Sequence, residues 1–326
     1  MTALLLEARG LVQQYDTSRG LFGRATSVRA VDGVDLRVNR GEILGIVGES
    51  GSGKSTLGRM LLGLERPHDG QVLWQGQPLP APYSAAWRSL RAQMQLIFQD
   101  PLAALDRRMT IADQIGEPFI IHGLAKGVEA TAKVAGLMAR VGLRPDQAGR
   151  YPHELSGGQR QRVVIARALA SSPRFIVCDE PVSALDVSIQ AQVVNLLRDL
   201  QEQSDLTMVF ISHDLKVVRN ICDRVAVMYL GRIVEEGPSD VIFSDPRHPY
   251  TQALVSSIPK AGTGLSHRVI LQGEPPNPAA RPTGCAFHPR CGAADRACAL
   301  EVPVLELNRG RLTACLKLRA TGAQAA

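Results

Sequence analysis

The chain has 326 residues, 45% of them hydrophobic, enough for a substantial core in one large domain and a smaller one, or in two of moderate size. Aromatic residues make up only 4%, which weakens any case for base stacking on single-stranded nucleic acid. The formal charge of +6 is interspersed rather than blocked, and suits an anionic ligand or a position near lipid without specifying either.

The opening MTALLLEARGLVQQ has no basic leader before its short apolar run and acquires Glu7 at once, so no signal peptide is expected. No apolar run reaches the roughly 18 to 20 residues of a membrane-spanning helix. A cytosolic setting follows as an expectation, and there thiols stay reduced. From about Ala30 to Glu235 short apolar runs alternate with helical patterns, the signature of an α/β fold with a largely parallel sheet. Strands are expected at Ile43–Val47, Met94–Phe98, Phe175–Cys178 and Met208–Ile211, and in such sheets ligands gather at the carboxyl ends. Residues from about Pro101 to Ser172 read as mostly helical, an inserted helical subdomain. From Pro246 onward Pro and Gly become dense, as in GEPPNPAARPTG, and periodicity fades, which predicts a linker and a small separate appendage.

GESGSGKST, Gly48 to Thr56, fits the pattern G-x-x-x-x-G-K-[ST] between the strand EILGIV and the helical run TLGRMLLGL. Its glycines Gly48, Gly51 and Gly53 let the backbone curl. The N–H groups of Glu49, Ser50, Ser52 and their neighbours then point at phosphate oxygens, and the following helix adds its positive end. Lys54 is placed to reach the β- and γ-phosphates and the Ser55 hydroxyl to ligate Mg²⁺. Further on, RFIVCDEP carries four apolar strand residues into Asp179 and Glu180. Asp179 suits magnesium; Glu180 suits the orientation and deprotonation of an attacking water.

LSGGQRQR contains a second anion-binding feature. Ser156 and Gln159 have the spacing of a capping box, and Gly157 and Gly158 leave the first N–H groups of the helix uncovered. Since the phosphate loop already cradles one side of a nucleotide, this helix end is best explained as serving a nucleotide held by another copy of the fold.

In this order the motifs resemble the ATP-binding subunits of ATP-binding cassette (ABC) transporters. GESGSGKST resembles their Walker A, LSGGQ (Leu155 to Gln159) the signature motif, FIVCDE the Walker B and SALD, ending at Asp186, the D-loop. Gln99 in IFQD and His213 in ISHD stand where that family has its Q-loop glutamine and switch histidine, and Tyr15 where an aromatic residue stacks on adenine. The resemblance implies a RecA-like P-loop core sheet with an N-terminal antiparallel β subdomain and a helical subdomain. It implies MgATP as cofactor, with Gln99 joining Ser55 and Asp179 at the metal, and Glu180 and His213 at the γ-phosphate. It also implies two cassettes closing head to tail, each signature motif covering the other's ATP.

The tail stretches DPRHPYTQAL and GEPPNPAARPTGCAFHPRC resemble the C-terminal extension of oligopeptide and dipeptide permease ATPases, giving a cassette over 1–245 and an extension over 246–326. YDTSRGLFGRATSVRAVDGV, with its insertion, resembles the second, F-type, of that family's paired ATPases. Implied partners are a second ATPase, as paralogue or identical copy, two membrane permease subunits and, indirectly, an external solute-binding protein. The place is the cytoplasmic face of the bacterial inner membrane. Cys285, Cys291, Cys298 and Cys315 are spaced too widely for a typical zinc site. The resemblance points to a four-iron four-sulfur cluster, the alternative being four reduced thiols packed in the tail. Cys178 and Cys222 are expected to act as small buried hydrophobes. The competing functional class is a soluble ABC-type ATPase of nucleic-acid repair or translation, but no twin cassette, long coiled coil or metal site within the cassette accompanies these motifs.

Overall fold

The computed structural model describes residues 3–17, 26–259, 269, 271 and 273–322. The chain opens with two long strands, β1 (Leu4–Thr17) and β2 (Thr26–Asn39), followed by β3 (Ile43–Val47), α1 (Lys54–Leu61), β4 (Asp69–Trp74) and β5 (Gln77–Pro78). Next come α2 (Ala85–Gln93), β6 (Met94–Ile97), α3 (Pro101–Ala104), α4 (Ile111–Ile121), α5 (Gly127–Arg140) and α6 (Gly157–Leu169). They lead to β7 (Phe175–Asp179), α7 (Val187–Ser204), β8 (Thr207–Ser212), α8 (Leu215–Ile221), β9 (Arg224–Tyr229) and β10 (Arg232–Pro238). The last elements are α9 (Ser239–Ser244), α10 (Pro249–Ser256), α11 (Arg296–Leu300), β11 (Glu306–Asn308), β12 (Arg311–Thr313) and α12 (Leu316–Gly322). No described helix is long and apolar enough to cross a membrane.

The chain divides into two units. One comprises Met1–Leu5, Val38–Ile43 and Trp74–Ser212; the other comprises Leu6–Arg37, Leu44–Leu73 and His213–Ala326. In the first, β6, β7 and β8 run parallel in that order, with Met94 opposite Phe175 and Phe175 opposite Thr207. Phe175 to Cys178 and every residue of β8 are buried, as expected where both faces of a parallel sheet are covered. Between β6 and β7 the chain forms α3 to α6. Ile111, Ile115 and Phe119 of α4, Val134 and Leu137 of α5 and Val163 to Ala166 of α6 supply the apolar contacts. The Thr110 hydroxyl caps α4 by accepting from the N–H of Asp113 at 3.2 Å.

In the second unit β3 runs parallel to β9, β10 pairs antiparallel with β9, and β12 continues on the far edge of β10 with Glu235 opposite Thr313. Gly45 lies at the centre of β3, where a Cβ would come within 2.9 Å of both Val218 Cγ1 and Cys222 Sγ. Glycine therefore lets α8 close onto the strand. The C-terminal extension is built into this unit. Phe287 stacks on Tyr229 and Tyr250 with ring centroids 5.3 and 5.4 Å away. The Glu235 carboxylate, wholly buried, accepts from the backbone N–H groups of Arg247 and His248, each at 2.9 Å, and lies 3.6 Å from the Arg311 guanidinium. Asp32 is gripped by Arg29, Arg232 and Arg281. Burial works against its charge, yet these partners hold its carboxyl below the usual range.

Candidate functional site

The phosphate loop leaves β3 at Val47 and enters α1 at Lys54. Gly53, the residue before the helix, has φ +102°, and a Cβ there would lie 2.0 Å from the carbonyl oxygen of Ala30, so only glycine fits. No side chain caps α1 and no acidic residue lies in its first turn, which leaves the positive helix end to a ligand. Lys54 is buried at 5% exposure, and its ammonium donates to the carbonyl oxygens of Gly48 and Glu49 at 2.9 and 3.0 Å. Ser52 and Thr56 are buried, whereas Ser50 and Gly51 are exposed. Two residues of the tail also reach this loop. Tyr250 Oη accepts from the N–H of Glu49 at 2.8 Å, and Arg290 grips the Glu49 carboxylate. In the same unit Tyr15, 38% exposed on β1, gives its hydroxyl to Glu65, and His213 is exposed just before α8.

In the other unit β7 ends at the half-buried Asp179. Glu180 follows at φ +47°, an uncommon backbone for a residue with a side chain, and is held there by its N–H donating to Ile211 O at 3.0 Å. Gln99, beyond the end of β6, donates Nε2 to Glu180 Oε2 at 3.1 Å, so the chain brings these two candidates together. α6 starts with a capping box: the N–H of Gln159 donates to Ser156 Oγ at 3.3 Å and the N–H of Ser156 to Gln159 Oε1 at 3.0 Å. Leu155 is buried beneath it, while Ser156 and Gly157 are exposed. Gly158 has a further reason to be small, since a Cβ there would sit 2.6 Å from Ile189 Cγ2 of α7. Asp186 precedes α7 and accepts through its carbonyl oxygen from the N–H groups of Ile189 and Gln190.

Residues 31–183 match the ABC transporter family, and residues 234–298 match the family described as oligopeptide/dipeptide transporter, C-terminal region. The oligopeptide transport ATP-binding protein AppF of Bacillus subtilis is 51% identical over 304 residues, covering 92% of either chain. The chain belongs to the ATP-binding subunits of the oligopeptide/dipeptide ABC transporters. OppF of Salmonella typhimurium is 48% identical over 322 residues, covering 97% of this chain and 96% of that protein. Among solved structures, the dimeric post-hydrolysis ATP-binding cassette MJ0796 bound to ADP and Pi is 28% identical with a TM-score of 0.65. It covers 72% of this chain and 99% of its own. The fold is therefore the RecA-like ABC cassette with its β and helical subdomains. As a member of this peptide-permease family the chain is an ABC-type ATPase whose hydrolysis is coupled to peptide translocation. The repair or translation alternative has no support among these relatives.

The iron–sulfur expectation is corrected. Among the described residues no group of three or more His, Cys, Asp or Glu side chains is arranged to hold a metal ion. Cys285, Cys291, Cys298 and Cys315 are free thiols, and burial pushes the first two and Cys315 above the ordinary thiol range. The extension is fastened by other means: the Phe287 ring contacts, the Arg281 and Arg311 ion pairs and the β12 pairing. Tyr250 and Arg290 were missed as site residues, although both lie inside the tail stretches that carry the permease resemblance. Their residue types alone gave no sign of the loop they reach.

Proposed function

We propose that this permease ATPase works as one of a pair of cassettes, each supplying half of two nucleotide sites. In this reading the N–H groups from Glu49 to Thr56 and the Lys54 ammonium take the phosphates, and Tyr15 takes adenine. Ser55, Gln99 and Asp179 serve the magnesium. Glu180 deprotonates the attacking water, with His213 on the γ-phosphate. The signature residues Leu155 to Gln159 and the Asp186 loop act on the nucleotide of the other cassette. The observation that carries this is the exposed start of α6. Its capping box uses only one helical N–H, and the exposed Gly157 and partly exposed Gly158 leave room for an anion at that end. The pair sits at the cytoplasmic face of the bacterial inner membrane against two permease subunits fed by an external solute-binding protein, the partner cassette being a paralogue or a second copy.

Two measurements test the proposal. Gentle capture of the tagged chain from bacterial membranes is expected to bring down two polytopic subunits and the second ATPase; recovery of the chain free of membrane subunits would count against it. In the captured complex, replacing Ser156 with a bulky arginine in this subunit is expected to abolish MgATP-driven closure while leaving this subunit's own nucleotide binding intact. Closure at the wild-type level would overturn the shared-site reading.

A further inference from the structure

The extension's contact with the phosphate loop is too specific for a general packing surface. Arg290 Nη1 donates to Glu49 Oε2 at 2.8 Å and Nη2 to Glu49 Oε1 at 3.1 Å, a two-pronged fork. The Arg290 side chain is 6% exposed and lies over the Tyr229 ring, 6.0 Å from its centroid. Tyr250, fully buried, takes the backbone N–H of the same Glu49. Tyr229 and Tyr250 in turn are braced by each other and by Phe287, with centroids 4.6 to 5.4 Å apart. On its other flank the loop is held by the N–H of Gly231, which donates to Ser52 O at 2.8 Å. The N–H and the carboxylate of Glu49 are therefore tied to residues 250 and 290, and its carbonyl oxygen to Lys54.

We infer that the C-terminal extension is a positioning element for the phosphate loop, with Arg290 its main positioning residue. The inference rests on the reading that this loop takes the phosphates of ATP. A loop already ordered does not have to lose conformational freedom when the nucleotide arrives, so its affinity is higher. Arg290 touches neither the attacking water nor the transferred phosphoryl group. Its loss is expected to weaken nucleotide binding while turnover at saturating ATP stays close to normal. A guanidinium fork is required, because a lysine offers a single point of charge and cannot bind both carboxylate oxygens in parallel.

The test uses the full chain and the complex assembled with its membrane subunits. Binding of a fluorescent MgATP analogue and the KM and kcat of ATP hydrolysis are measured for Arg290→Glu, Arg290→Lys, Glu49→Arg and the charge-exchanged pair Glu49→Arg with Arg290→Glu. Arg290→Glu is expected to raise Kd and KM at least about tenfold with kcat changed less than about threefold, and Arg290→Lys to fall between it and wild type. The exchanged pair is expected to recover most of the lost affinity, which keeps the test informative where one single variant folds poorly. Lys54→Ala separates the two layers of argument. If it binds nucleotide like wild type, the loop assignment itself fails. If it abolishes binding while Arg290→Glu leaves Kd and KM unchanged, or lowers kcat and thermal stability alone, the extension is only a structural prop and the inference is overturned.

Discussion

Replacing Ser156 separates two roles that one hydroxyl could serve. As a helix cap it accepts one N–H, at 3.3 Å, near the long end of hydrogen bonding, so its removal in Ser156→Ala should cost about 0.5–1 kcal/mol. Unfolding entropy scales with size. That loss lowers the melting temperature by about 1 °C if the whole chain melts together, and by about 2–3 °C if the unit of about 150 residues that contains α6 melts alone. Aspartate caps a helix as well as serine, so Ser156→Asp should restore this stability. It also places a negative charge where the γ-phosphate of the partner's nucleotide is proposed to lie. Hydrolysis in the assembled transporter should then fall at least about 100-fold, the scale for losing one preorganised oxyanion donor. The assays are thermal unfolding of the isolated chain and steady-state phosphate release by the complex. If Ser156→Asp recovers both stability and hydrolysis, Ser156 is a cap and nothing more, and the shared-site argument fails.

Glu180→Gln should retain MgATP binding and reduce turnover by about 10²–10⁴-fold, read as phosphate release and as accumulation of the closed complex; undiminished release would remove Glu180 as the base. Gly53→Ala should destabilise the chain by at least about 2 kcal/mol and abolish nucleotide binding, because the new methyl meets the Ala30 carbonyl in a backbone that side chains rarely adopt; a normal melt with normal affinity would refute that geometry. Burial pushes His248 down to about 3. The unfolded chain therefore takes up a proton there below pH 6.5 that the folded one refuses, and stability should fall with decreasing pH by up to about 1.4 kcal/mol per pH unit. His248→Asn keeps an acceptor for the N–H of Tyr250 and should flatten the denaturation profile between pH 6 and 4; an unchanged slope would show that His248 is not responsible.

β3, β7 and β8 were legible because a strand buried on both faces is a continuous apolar run, while β6, half-buried at Gln95 and Leu96, was legible from its flanking apolar residues. The ends of β3 were legible too, but not every end of the other three. β8 extends to Thr207 and Ser212, polar residues that the pattern excludes but that are buried, Thr207 accepting from the N–H of Gly41 at 2.9 Å. β2 was illegible for a related reason. Its Asp32 is a buried, arginine-bound acid beside Gly33, and Asp-Gly in a sequence reads as a turn. The capping box of α6 was fully readable, since it depends on two residue types at a fixed short spacing. The tail lay at the other extreme: its strands are three residues long and its anchors are ion pairs that join positions such as 32 and 281, far beyond any local period. The cluster expected from the tail's resemblance was wrong, since likeness in sequence carries no geometry and no metal-holding group forms among the described residues.

The buried carboxylate of Glu235 has a consequence for how such subunits can vary. It stands on a strand of the cassette, but the groups that satisfy it, the N–H groups of 247 and 248 and the guanidinium of 311, all come from beyond residue 245. Removing one of those groups while the extension stays folded would leave a buried negative charge short of a partner, at a cost of about 3–5 kcal/mol, a large part of what keeps an ordinary domain folded. An extension grafted onto another cassette therefore needs an acid at position 235 to meet its two N–H groups and its guanidinium. The two segments have to be inherited together.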